Sequence, residues 1–143
     1  MKRWIEKLLN RKAEPAHLKS GKWGERQAVR LLKSKGWKIM GERVRVGKRD
    51  EIDIIADHGG VLVFIEVKTR KNEDFGRPIS AVNQKKRRNL CRAAIAYLKK
   101  NRIQPDYFRF DVVEVIGEPD MGPPKIRHIE NAFQLASNYK LWW

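Results

Sequence analysis

The sequence contains one cysteine, Cys91, which excludes an internal disulfide and a cysteine-based metal site and fits a reducing compartment. No segment approaches the ~18 consecutive apolar residues that span a bilayer. The N-terminal stretch MKRWIEKLLNRKAEP breaks its apolar positions with Glu6 and Lys7, so it lacks the continuous hydrophobic region of a signal peptide. A soluble cytoplasmic protein is the expectation. Internal repeats, low-complexity tracts and Ser/Gly linkers are also missing, so the 143 residues are expected to form one domain. Its core should run from about residue 17 to 133, with a short helical N-terminal extension and a C-terminal tail.

Acidic residues are in short supply. The chain has 32 Lys and Arg against 17 Asp and Glu, a net charge of +15, and a pI near 10.2. That imbalance points to a polyanionic partner, with nucleic acid first among them. The excess is uneven: Asn83 to Arg102 holds Lys85, Lys86, Arg87, Arg88, Arg92, Lys99, Lys100 and Arg102, and no acid. A solvated helix face in a basic protein is the plainer account of this run. An anionic membrane surface is disfavoured, because no helix joins the charge to a wide face of Trp, Phe and Leu.

Periodicity supplies the elements. From near His17, the residues Leu18, Gly21, Glu25, Ala28, Val29 and Leu32 follow helical spacing until Gly36. Trp37 to Val46 reads as a strand, GKRD as a turn, and 51–57 and 61–70 as the arms of a hairpin around His58-Gly59-Gly60. A second helix is expected to open at Pro78 or Ser80 and run to about Asn101. Its inner stripe would be Val82, Lys86, Leu90, Ala93, Ala94 and Tyr97. YFRFDVVEVIG and KIRHIENAF read as two further strands separated by the turn MGPP. The order α-β-β-β-α-β-β, with a helix between strands, predicts a three-layer α/β/α domain around a mixed sheet.

The hairpin carries the chemistry. With Gly59 and Gly60 at the centre of the turn, Asp53 falls opposite Glu66, and Lys68 shares their face. The other face, Ile52, Ile54, Ala56, Val61, Val63, Ile65 and Val67, has no polar residue and should be core. Opposed like charges destabilise a sheet, and a divalent cation between the carboxylates would compensate. Oxygen donors without a Cys or His pair suit Mg2+ or Mn2+. A surface salt-bridge cluster is the competing account of the trio. Against it stand two further charges on inner helix stripes, Glu25 and Lys86, which together point to a shared polar pocket.

In combination these residues resemble the YraN-like bacterial proteins, grouped with nuclease-like folds of the restriction-endonuclease and archaeal Holliday-junction-resolvase type. The resemblance covers about Gly21 to Phe133. GKWGERQAVRLLKSKG is similar to the family's Gly-Glu-x-x-Ala helix. EIDIIA and VFIEVKTR are similar to its two central strands, FGRPISAVNQKKRRNLCRAAIAYL to its basic helix, and FRFDVVEV to the following strand. It implies Asp53 and Glu66 as metal-binding acids, Lys68 as a catalytic lysine, Glu25 as an auxiliary acid, and the Val67 carbonyl as a further metal ligand. One residue departs: Asp50 stands where relatives usually carry Gly. The implied activity is Mg2+- or Mn2+-dependent hydrolysis of phosphodiester bonds, in structure-selected DNA sooner than RNA. Lys85, Lys86, Arg87, Arg88, Arg92 and Arg70 would hold the backbone, and there is room for a homodimer. The alternative is a nucleic-acid-binding protein that keeps the nuclease fold without cleavage. A glycosidase carboxylate pair fits poorly with a basic chain that has few aromatics near that pair. A scaffold role would use Trp142, Trp143 or the amphipathic WIEKLL as contacts.

Overall fold

The computed structural model describes residues 14–73, 83–135, 139 and 141. Helix α1 (Ala16–Ser34) leads into strands β1 (Lys38–Val46), β2 (Asp50–His58) and β3 (Val61–Arg70). Helix α2 (Gln84–Lys100) and strands β4 (Phe108–Ile116) and β5 (Lys125–Phe133) complete the chain order. The element order is the one expected. The proposed start of the second helix at Pro78 or Ser80, its inner residue Val82, the N-terminal helical extension, and Trp142 and Trp143 lie outside the described residues. Among the described residues, no helix is long and apolar enough to cross a membrane.

The hairpin turn forms as its two glycines require. Gly59 and Gly60 have φ of +60° and +88°, the pair of positive values that a type I′ turn needs, and the Asp57 carboxylate accepts the Gly60 N–H at 2.8 Å. This sets the register from His58↔Val61 to Ile54↔Ile65. The five strands lie in chain order in one sheet. All neighbours are antiparallel except β3 and β4, which the α2 crossover makes parallel. The arrangement is a mixed-sheet α/β fold and is compatible with the nuclease-like core that the resemblance implies.

Both faces of the sheet are buried, one under each helix. Ala28, Val29 and Leu32 of α1 pack on Ile54, Ala56, Val63, Ile65, Val113 and Val115. Leu90, Cys91, Ala93, Ala94 and Leu98 of α2 pack on Ile55, Phe64 and Phe110. The hairpin face that carries Asp53 and Glu66 is therefore half core: Ile55 and Phe64 on it are fully buried. Strict alternation also misplaces Ile52, which joins Val46 and Ile55 under α2 instead of Ile54 under α1. Its strand belongs there to a β1–β2 ribbon that has parted from β3.

A network of charge ties the far strand down. Asp111, fully buried, accepts from Arg109 at 3.0 Å, His128 Nε2 at 2.8 Å and the Asn131 N–H at 2.9 Å. Burial opposes its ionisation, but those hydrogen bonds outweigh it and hold the carboxyl below its ordinary value. Arg109 in turn lies over the Trp37 ring, which stacks on His58.

Helix α1 approaches β3 so closely that a Cβ on Gly24 would collide with Thr69 Oγ1. Gly24→Ala should cost about 1–3 kcal/mol by overpacking. Thermal melting should show a drop of about 3–10 °C. Adding Thr69→Ala should recover most of that loss, and an unchanged melting temperature in Gly24→Ala would contradict the close approach.

Candidate active site at the fork between β2 and β3

The site begins where two strands separate. Pairing of β2 with β3 reaches Ile54↔Ile65, while β3 continues to Arg70 against β4 and β2 continues to Asp50 against β1. In the gap, the Asp53 carboxylate takes the place of a strand carbonyl: its Oδ2 accepts the Val67 N–H at 2.8 Å. Within a strand, the N–H and C=O of one residue point to the same edge, so the Val67 carbonyl also faces the Asp53 side. Asp53 and Glu66 are the residues immediately beyond the last ladder pair, which is how the turn register brings them together.

The N-terminal parts of both helices close over this fork. Asn83 caps α2, its Oδ1 accepting the Lys86 N–H at 2.9 Å, which roots Lys86 above the sheet. Lys86 Nζ reaches Glu66 Oε1 at 3.1 Å. Glu25 of α1 is paired with Arg43 of β1, a residue that nothing in the sequence pattern marked. Arg43 has a φ of +47°, a left-handed conformation in mid-strand. Asp53 and Glu66 line one cleft of about 200 Å³ with Arg49, Asp50, Lys86 and Asn89. A second cleft, lined by His17, Ser20, Glu25, Val67, Lys68 and Lys86 among others, opens on the other side of Lys86.

The electrostatics separate these acids from the structural ones. Burial, and then the Glu66 charge, push the Asp53 carboxyl up to about 8, with Glu25 adding to the shift; the Val67 N–H and Lys86 oppose it. The Glu66 charge raises the Lys86 ammonium above its ordinary value, against the opposing effect of burial. Lys68, partly buried, makes no hydrogen bond or ion pair among the described residues. Glu114, 1% exposed and in register with Lys68 across β3 and β4, has an Oε2 without a hydrogen-bond partner among the described residues, while its Oε1 lies 3.9 Å from Arg70. Neither Arg43 nor Glu114 was singled out by the sequence reading.

Of the sequence-derived site residues, Asp53, Glu66, Val67, Lys68, Glu25 and Lys86 meet at the fork. The rest of the basic set is dispersed. Arg92 forms a two-bond pair with Asp50, at 2.8 and 2.7 Å, pinning α2 to the start of β2. This gives Asp50 its structural use and holds its carboxyl below the ordinary value through the Arg92 hydrogen bonds. Arg87 lies over the Phe133 ring, Lys85 and Arg88 are exposed, and Arg70 sits by Glu114. Among the described residues, no three His, Cys, Asp or Glu side chains form a metal-holding group. The oxygen donors on offer are the Asp53 and Glu66 carboxylates and the Val67 carbonyl.

The raised Asp53 has a consequence for stability. Between pH 3.8 and about 8 the folded chain keeps a proton on Asp53 that the unfolded chain has lost, so this residue makes stability fall as pH rises through that window. Asp53→Asn removes the dependence and can still accept the Val67 N–H. Melting of the metal-free variant should match wild type near pH 4 and exceed it by several degrees near pH 8. A variant less stable than wild type at pH 8 would contradict the electrostatic account.

Several known proteins are similar to this chain over most of its length. A UPF0102 protein of Geotalea daltonii is 45% identical over 116 residues, covering 81% of this chain and 90% of the relative. One from Symbiobacterium thermophilum is 46% identical over 113 residues, covering 79% and 94%. A third, from a Sulfurihydrogenibium species, is 41% identical over 115 residues, covering 80% and 94%. The family profile described as "Uncharacterised protein family UPF0102" matches residues 24–115, from the Gly24-Glu25 pair to the penultimate residue of β4. The chain belongs to the UPF0102 family, the YraN family.

Proposed function

We propose that the protein is a metal-dependent nuclease that hydrolyses phosphodiester bonds in structure-selected DNA, with its active centre at the β2–β3 fork. The observation that carries this reading is the placing of Asp53 beside Glu66 in one cleft, where burial and then the Glu66 charge push Asp53 up to about 8. A structural site would relieve such strain, as Asp111 does with three donors; a perturbed acid in a cleft is the ordinary mark of a working one.

The donor set fits a hard divalent cation. Two carboxylates and a backbone carbonyl are oxygen ligands of the kind Mg2+ and Mn2+ take, and a dication would take the place of the proton that Asp53 otherwise keeps beside Glu66. Bound by Asp53, Glu66 and the Val67 carbonyl, the cation would supply Lewis-acid activation of a phosphoryl oxygen and a water of lowered pKa. The chain's own residues do the rest. Lys68, which has no partner among the described residues, orients the attacking water or takes up the charge that develops on the phosphate. Glu25, held by Arg43, lines the neighbouring cleft with Lys68 and Val67 and positions water on that side of the fork. Exposed Lys85 and Arg88 on α2 contact phosphates without reading bases.

The test is a cleavage profile on linear, single-stranded and branched DNA and on RNA, with Mg2+ and Mn2+. Asp53→Ala and Glu66→Ala should abolish cleavage, and Lys68→Ala should reduce its rate by about 100-fold or more. Glu25→Ala should cost about 10-fold to 100-fold. Arg30→Ala, an exposed charge on α1, serves as the control and should leave the rate unchanged. Binding of DNA that is the same for wild type and Asp53→Ala, with no cleavage of any substrate in either metal, would replace this reading with that of a non-catalytic nucleic-acid-binding protein.

A further inference from the structure

Lys86 stands out among the cations of α2 because it is shared. It lines the cleft that holds Asp53 and Glu66 and also the cleft that holds Lys68 and Glu25. Its N–H is fixed by Asn83 Oδ1, so the root of the side chain cannot move without unwinding the helix start. Its ammonium, by contrast, hangs on a flexible four-carbon stem with 49% of the side chain exposed, and holds Glu66 by one contact of 3.1 Å.

That single contact is not what pins α2 to the sheet. Arg92 does so, with a two-bond fork to Asp50 at 2.8 and 2.7 Å. The Lys86–Glu66 contact is thus free to exchange, and it occupies a carboxylate oxygen that a cation between Asp53 and Glu66 would need. We infer that Lys86 is the resident counter-ion of Glu66 in the metal-free protein, and that a divalent cation displaces its ammonium into the cleft beside Lys68, where it meets a nucleic-acid phosphate. The inference rests on the metal-dependent reading above.

Two consequences follow from charge alone. A monovalent ammonium and a dication compete for Glu66, so metal affinity is lower with Lys86 than without it. Displacement also turns the Lys86 charge toward Lys68 in the cleft that both line, so metal and nucleic acid bind with positive coupling, and the coupling is reciprocal. Phosphate is held more weakly at the fork until the cation is loaded.

Mn2+ titration followed by electron paramagnetic resonance, together with amine labelling read by mass spectrometry, tests this without any need for cleavage. Lys86→Met keeps the stem and removes the charge; it should bind Mn2+ about 10-fold more tightly than wild type, while Lys86→Arg should stay close to wild type. In wild-type protein, which needs no folding control, Mn2+ should raise the labelling rate of Lys86 several-fold and leave that of Lys99 unchanged. Equal or weaker Mn2+ binding by Lys86→Met, or Lys86 labelling that ignores Mn2+, would overturn the counter-ion role and leave the metal site standing. Absence of Mn2+ binding in both wild type and Lys86→Met would remove the metal site and this inference together.

Discussion

The parting of β2 from β3 after Ile54↔Ile65 is the constraint on which the rest of the structure depends. A sheet that stayed paired would satisfy the Val67 N–H with a backbone carbonyl and leave no gap. Here a side chain does that work: Asp53 Oδ2 accepts the bond, and the backbone of β2 turns away with β1. The β3 edge beyond Ile65 then lies open between the N-terminal halves of α1 and α2. The site is therefore a consequence of an interrupted ladder, and the two helices that cover the sheet are also the two that bring Glu25 and Lys86 to it.

Two aspartates, Asp111 fully buried and Asp53 half-buried, show how the chain distinguishes holding from poising. Asp111 sits among Arg109, His128 and the Asn131 N–H, and its carboxyl stays below the ordinary value. Asp53 sits beside Glu66 with one backbone donor, and its carboxyl is driven up to about 8. The first arrangement satisfies a buried charge and fixes β5 to β4. The second keeps a proton on Asp53 up to about pH 8, and it is kept at a cost in stability that grows with pH over that range. Cations that the chain can spare, Lys86 for Glu66 and Arg43 for Glu25, partly offset the negative charge around it.

Much of this was legible in the residues. A two-glycine turn has one register, so the approach of Asp53 to Glu66 could be counted from Gly59 and Gly60. The 3.6-residue period put Glu25 and Lys86 on inner faces, and the acid-free run marked α2. Other features were not legible. Ile52 changes core cluster, Arg92 serves Asp50 instead of a free surface, and Arg43 and Glu114 enter the polar set from strand positions with no warning pattern. Each of these depends on twist and on which strands separate, and neither quantity is periodic along the chain.

By itself, the sequence determined the element order, the hairpin register, the mixed α/β architecture and the identity of the two opposed acids, because local periodicity and turn chemistry suffice for those. Tertiary structure alone decided that the ladder stops at Ile54↔Ile65, that Lys86 lies between two clefts, and that Asp53 rather than Asp111 carries the strained proton. The reason is that charge and burial act through space. Whether a carboxylate is relieved or strained depends on the donors that distant strands and helices bring within a few ångströms, and those neighbours are chosen by packing.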